Sequence, residues 1–229
     1  MKTLVYICFV VVAVLGDMDS ARAAGVWCGL WGKDTVVIDM KYTFFPPELE
    51  GDSWVSRPKH GTKDCTGSFK SIVLEVYYPG MESAGRRNVY NDPDKRHVSI
   101  HMVRLNPATS SLDFTGTLQR YMPHLKAGQG QAYGSEEAFS LQKYSGVDPV
   151  YKTSLAEIYW SNSANEVDPL YIICRFHSSK FRTRCLLHSK SVGTATELRV
   201  GFSYHMLSQW ETILDEAKIL IGVIKGRER

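Results

Sequence analysis

Cys174, His177, Cys185 and His188 repeat the spacing Cys-x-x-His twice within fifteen residues. Two thiolates and two imidazoles at such spacing make a tetrahedral zinc set. The same two cysteines have a competing chemistry. On the two strands of a hairpin they face one another at the distance a disulfide requires, and in an oxidising compartment they join. The compartment therefore decides between metal and disulfide, and the N-terminus indicates the compartment. Lys2 supplies a positive start, Leu4 to Leu15 an unbroken apolar run, and Ala21-Arg22-Ala23 a small-x-small site before Ala24. That order is read as an export signal over residues 1–23. The apolar run is shorter than the roughly 20 residues that cross a bilayer as a helix. Its removal would take Cys8 away and leave Cys28, Cys65, Cys174 and Cys185. An even set outside the cytoplasm reads as two disulfides with three possible pairings, and local spacing favours Cys28–Cys65 and Cys174–Cys185. No metal is expected.

Other reactive constellations are weaker. His97 and His101 would share one face of a strand, but four residues of strand span about 13 Å, too far for one metal. They read as two surface histidines. There is no Gly-x-Ser-x-Gly elbow, and Gly134-Ser135-Glu136 lacks the strand-to-helix setting of one. A cysteine nucleophile needs a reduced thiol, whereas each of the four has a partner at hand. Glu136-Glu137 fall in a loop-like stretch, Asp34 and Asp39 have no acid–base spacing, and no phosphate-cradling glycine motif occurs. The reading is a binding protein, not an enzyme, with no cofactor. Two alternatives stay open. A cell-envelope hydrolase with an unfamiliar site would be marked by a deep pocket holding a buried His–Asp or His–Glu pair. An accessory subunit of an envelope complex would be marked by a large exposed apolar patch.

Residues 175–190 carry Arg175, Lys180, Arg182, Arg184 and Lys190 without an acid, and Phe176 and Phe181 stand among them. On a disulfide-braced hairpin, Arg175, Phe176, Lys180, Phe181, Arg182 and Arg184 would form a docking surface for an acidic protein or an anionic envelope component. Charge that keeps a strand edge soluble accounts for the same residues. Twelve tyrosines and five tryptophans lean the same way, since aromatics in glycine-rich loops give large contact area at low entropic cost. They also build sheet cores. A net charge of +3 does not argue for nucleic acid.

The elements that must position these residues are mostly strands. Runs at 34–45, 69–78, 96–105, 111–118, 155–160, 169–177, 181–188 and 197–204 are rich in β-branched and aromatic residues, and a short strand is expected near 139–144. Residues 48–68 and 80–95 read as loops, the first tethered by Cys65. In 96–105, Val98, Ile100 and Met102 alternate with His97, Ser99, His101 and Val103. One helix is predicted over 204–225, where Met206, Leu207, Trp210, Ile213, Leu214, Ala217, Leu220, Ile221 and Ile224 make one apolar face, with Ser203 as cap, Gly226 as stop and Trp210 in the core. The fold class is α+β: a mainly antiparallel sheet with a C-terminal helix packed on one face, disulfide-braced. After the signal, residues 24–229 read as a single exported domain, with a possible subdivision near 123–150 and no stable membrane anchor.

Ile172, Cys174 and Cys185, an alternating strand through Val200 and Phe202, and a helix holding Leu207, Trp210 and Ile213 form one further pattern. Over roughly residues 165–225 it resembles the C-terminal part of periplasmic immunity-type proteins associated with type VI secretion effectors in Gram-negative bacteria. The resemblance implies a periplasmic protein that neutralises a partner toxin by direct binding. It places no binding residue on this chain.

Free-thiol titration of the protein purified under oxidising conditions should find almost none. Four reactive thiols would overturn the disulfide assignment.

Overall fold

The computed structural model describes residues 25–51, 65–85, 92, 95–105, 136–148, 155–160, 170–176, 184–190 and 196–226. Alternation of apolar and polar side chains decides its architecture. In β4 (Phe69–Tyr77) Ile72, Leu74 and Val76 are buried, and in β6 (His97–Arg104) Val98, Ile100 and Met102 are. In β12 (Thr196–Ser203) the set is Leu198, Val200 and Phe202. Pairing aligns Ile72 with Met102 and Leu198, and Leu74 with Ile100 and Val200, so the three sets meet as rows on one face. A one-residue slip would turn every one of them to the other side.

The remaining strands are β3 (Glu48–Leu49), β5 (Glu82–Ser83), β7 (Glu136–Ala138), β8 (Leu141–Val147), β9 (Leu155–Trp160), β10 (Leu170–Phe176) and β11 (Arg184–Lys190). Among the described residues they form, with β4, β6 and β12, a ten-stranded antiparallel sheet in the order β3-β4-β6-β12-β11-β10-β9-β8-β7, with β5 beside β4. A separate hairpin of β1 (Val26–Trp31) and β2 (Asp34–Asp39) and the helix α1 (Trp210–Ile224) complete one apolar cluster with the sheet's front face. Trp31, Val36 and Ile38 enter it from the hairpin, and Ile213, Leu214 and Ala217 from the helix. The α+β class and the C-terminal helix packed on a sheet are as the sequence indicates.

Both expected disulfides are formed, Cys28–Cys65 and Cys174–Cys185. Cys174 and Cys185 lie directly opposite on β10 and β11, buried within the front cluster. Strand geometry excludes the zinc set: Cys185 belongs to the front face, whereas His188, three residues along the same strand, belongs to the back. His177 lies outside the described residues.

Several expectations change. β1 was not foreseen because Gly29 interrupts it. Its missing side chain is what seats the hairpin, since a Cβ there would stand 2.7 Å from the Gly67 carbonyl and from the Phe69 ring. Two-residue strands occupy parts of the stretches read as loops. The short strand expected near 139–144 is a hairpin, β7–β8, turning on Phe139 and Ser140 with φ of +57° and +62°. Such a turn usually takes Asn-Gly, so no sequence signal marked it. The strand expected at 111–118 lies outside the described residues, as does most of the proposed subdivision.

The predicted helix is divided. Tyr204–Gln209 form a tighter 3-10 segment that buries Met206 and Leu207, and the α-helix proper begins at Trp210. Ser203 makes no capping bond; its hydroxyl contacts the His205 ring instead. Gly226 does end the helix, with φ of +65° and its N–H donated to the Val223 carbonyl. Trp210 is half-buried against the core instead of within it, and its indole N–H donates to the Phe139 carbonyl at 3.4 Å.

Ile213→Ala should destabilise the protein by about 2–5 kcal/mol through lost burial and the cavity left behind. Val223→Ala, on the exposed side of the same helix, should change stability by less than about 0.5 kcal/mol. Equal effects in urea unfolding would show that the helix does not pack by this face.

Candidate functional site

The two-residue period of a strand splits the basic hairpin. Arg175 and Arg184 face one another across β10 and β11 on the back of the sheet, while Phe176 turns to the front. Lys180, Phe181 and Arg182 lie outside the described residues. Both arginines brace the sheet. Arg175 Nε donates to the carboxylate of the fully buried Asp148 at 2.8 Å. Ala156 and Gly146 stand in register beside Arg175, and their small size gives the guanidinium room to reach past β9 to the end of β8. Arg184 Nη2 donates to Ser99 Oγ at 2.9 Å and to the Gly201 carbonyl at 3.3 Å. A Cβ on Gly201 would come within 2.6 Å of Ser99 Oγ and 3.3 Å of that guanidinium, so the glycine opens the space.

The back face carries a buried polar network. A register row runs Val73, His101, Arg199, His188, Tyr171, Trp160 across six strands. Glu197 accepts from His188 Nδ1 at 2.8 Å and from Arg199 Nη2 at 2.7 Å, and Tyr171 stacks on the His188 ring at 4.4 Å between centroids. A carboxylate only accepts, so the His188 proton sits on Nδ1. Burial alone would raise the Glu197 carboxyl, but the bonds from His188 and Arg199 outweigh it and bring it down to about 2. Burial lowers His188, with the charges of Arg199 and Arg175 adding to it against the pull of Glu197. Burial and then Arg199 lower His101 as well. At neutral pH a neutral imidazole therefore donates to an ionised carboxylate. His97, read from sequence as a surface residue, is buried: its ring contacts Glu75 at 2.6 Å and its backbone N–H donates to Asp92. Among the described residues no cluster of three His, Cys, Asp or Glu suits a metal ion.

The front face of β8, β9 and β10 is different. Val147, Leu155 and Phe176 form a register row, and Val147 and Leu155 are 51% and 58% exposed. Phe176 packs edge-on against Tyr204 at 5.3 Å between ring centroids. One row inward, Glu157 accepts from the hydroxyls of Tyr159 at 2.6 Å and Tyr204 at 2.7 Å and pairs with Lys143 at 3.1 Å. Burial opposes ionisation of Glu157, yet these three donors hold its carboxyl below the usual range, and both phenols are raised. Phe139 stands beside Tyr159, 44% exposed at the tip of the β7–β8 turn. The result is an apolar and aromatic surface set on a saturated polar foundation, which suits macromolecular recognition.

Sequence reasoning named Phe176 here and missed Phe139, Val147 and Leu155. The signal was present in Leu155-Ala-Glu-Ile-Tyr-Trp160: one face (Ala156, Ile158, Trp160) is wholly apolar and buried, and the other interleaves Glu157 between Leu155 and Tyr159. Several of the aromatics read as leaning towards recognition are core, Trp31, Tyr159 and Trp160 among them.

No protein-family model matches the chain, and no curated protein sequence matches it. Its fold is similar to that of an immunity protein of the Stenotrophomonas maltophilia type IV secretion system, with a TM-score of 0.52 at 10% identity, covering 88% of this chain and 93% of that one. The iron-regulated outer-membrane lipoprotein FrpD of Neisseria meningitidis overlaps at a TM-score of 0.39 and 13% identity, over 78% and 79%. The first likeness is one of fold across nearly the whole of both chains.

Stability should fall as pH drops. His188 and His101 are lowered in the folded state, so protonation favours the unfolded chain once pH passes below their ordinary value of 6.5. Glu197 adds a second loss between its ordinary 4.5 and about 2. In urea unfolding at pH 7.5 and 5.0, His188→Gln should shrink the difference between the two midpoints. A profile superimposable on wild type would remove His188 from the account.

Proposed function

We propose that this chain is an immunity-type protein acting outside the cytoplasm, which neutralises a partner toxin by binding it directly. The observation that carries the reading is the fold likeness to a secretion-system immunity protein over nine-tenths of that chain. Two disulfides favour an oxidising compartment, and the charge, apolar run and small-x-small site of residues 1–23 favour export and cleavage. The Ile172–Ile213 pattern favours a toxin delivered by a type VI system over other routes. An exposed apolar and aromatic surface favours a protein partner over a small molecule.

A cell-envelope hydrolase is the second reading, and one observation favours it. His188 holds its Nδ1–H on a buried carboxylate, the arrangement that orients a general base. Tyr171 covers the ring and Arg199 takes the other carboxylate oxygen, which suits a brace better than a catalyst.

The test is protection. If the product of the neighbouring gene is toxic when targeted to the periplasm, cells expressing it should survive when the exported protein is co-expressed and die when residues 1–23 are deleted. Killing that the exported form does not relieve would sink the immunity reading. Protection lost in a folded His188→Gln variant that still binds the toxin would move the weight to catalysis.

A further inference from the structure

Resting on the reading of residues 1–23 as an export signal, and not on the immunity role, we propose that Phe44 and Phe45 are a membrane contact. The mature protein lodges this pair in the boundary between headgroups and acyl chains of a lipid bilayer. Phe44, Phe45 and Pro46 are consecutive and exposed, while Thr43 before them and Pro47 after them are buried. Loops ordinarily turn polar residues to water, and an exposed apolar run is an error unless it has a use. The two rings are 46% and 59% exposed and meet edge-on, with centroids 4.7 Å apart. They make one unbroken apolar tip.

The loop is braced to hold that tip out. Met40 donates its N–H to the Gly25 carbonyl at 2.8 Å, and the Lys41 carbonyl accepts from Ser83 Oγ at 2.6 Å. Thr43 Oγ1 accepts from the Trp27 indole N–H at 3.0 Å and donates to the Met40 carbonyl at 3.2 Å. Pro46 and Pro47 fix φ on the other side. Rings presented by a loop stiffened at both ends lose little freedom on insertion.

Two observations choose a bilayer as the occupant. The first is where the chain enters. The segment with the Leu4–Leu15 run joins the described residues at Gly25, and Gly25 is hydrogen-bonded to the turn that leads into Phe44. Export therefore brings this corner nearest the membrane, and cleavage after Ala23 frees it there. The second is area. A phenylalanine offers roughly 150–250 Å², so two half-exposed rings present about 200 Å², a quarter of the roughly 800 Å² each side of a stable protein interface buries. A bilayer asks for no complementary surface. Beside the rings stand Tyr42 and Lys41, the Lys41 ammonium 5.1 Å from the centre of the Tyr42 ring. A phenol and a long cationic side chain next to apolar rings suit the membrane interface, where one end is apolar and the other wet. Lys41 is already paired with Asp39 at 3.1 Å, which leaves the rings and not charge to hold the bilayer.

The experiment floats the protein recovered from the periplasm with vesicles of phosphatidylcholine, alone and with added phosphatidylglycerol. Wild type should rise with both, and the anionic lipid should change its partition coefficient less than about twofold. Phe44→Ser/Phe45→Ser should lower that coefficient roughly tenfold or more. Leu155→Ser removes an equally exposed apolar side chain from β9, far across the sheet from β3, and should leave it unchanged. Phe45→Trp should bind at least as well as wild type, its emission shifting to the blue with vesicles. Unfolding midpoints near wild type separate lost binding from lost fold. Wild type that does not float, or a double variant that floats as well, overturns the membrane contact and leaves the immunity reading standing. Flotation that requires phosphatidylglycerol makes the contact electrostatic and overturns it too. Toxin binding lost in the double variant, with no flotation of wild type, gives the pair to a protein partner and overturns the proposal. A recovered chain whose mass still includes residues 1–23 overturns the signal reading, and this proposal with it.

Discussion

A wide antiparallel sheet has two faces to bury, and among the described residues one long helix is available to bury them. Fifteen residues of α-helix reach about 22 Å. Nine strands side by side extend roughly 40 Å. The deficit shapes everything else. The β1–β2 hairpin is laid on the front to extend the cover, which is why Gly29 must let it approach Phe69 so closely. Beyond the reach of helix and hairpin, Val147 and Leu155 at the ends of β8 and β9 stay in solvent, while Leu141 and Tyr159 on the same face are buried.

The back face meets the same constraint by another route. Glu197 accepts from both His188 and Arg199, and Arg175 and Arg184 cross strands to find acceptors. Each buried charge has a counter-charge or a donor, as burial demands. Burial lowers His188 and His101, so His188 meets Glu197 as a neutral donor within the sheet.

Much of the framework was legible in the sequence because it rests on local rules. Period-two runs at 69–77 and 97–104, the period-3.6 face from Ile213 to Ala217, the Gly226 stop and both disulfides follow from alternation, propensity and compartment. What was not legible depends on tertiary register. Whether Arg175 projects or braces is decided by Asp148, 27 residues away, and by the small side chains of Ala156 and Gly146 beside it. The Phe139-Ser140 turn breaks local preference and is held by a tryptophan from the helix. The basic hairpin looked like one surface until register placed its arginines and Phe176 on opposite sides.

The Arg175–Asp148 pair has a mechanical consequence. It clasps β10 to β8 across β9 at the strand ends whose other face presents Val147, Leu155 and Phe176. One residue inward, Cys174 welds β10 to β11. A load applied at the front row therefore passes into an ion pair and a covalent bond before it can peel any strand away. A molecule gripping this corner would pull on a rigid plate, and its departure would have to proceed by whole-body separation instead of by fraying of the surface beneath it.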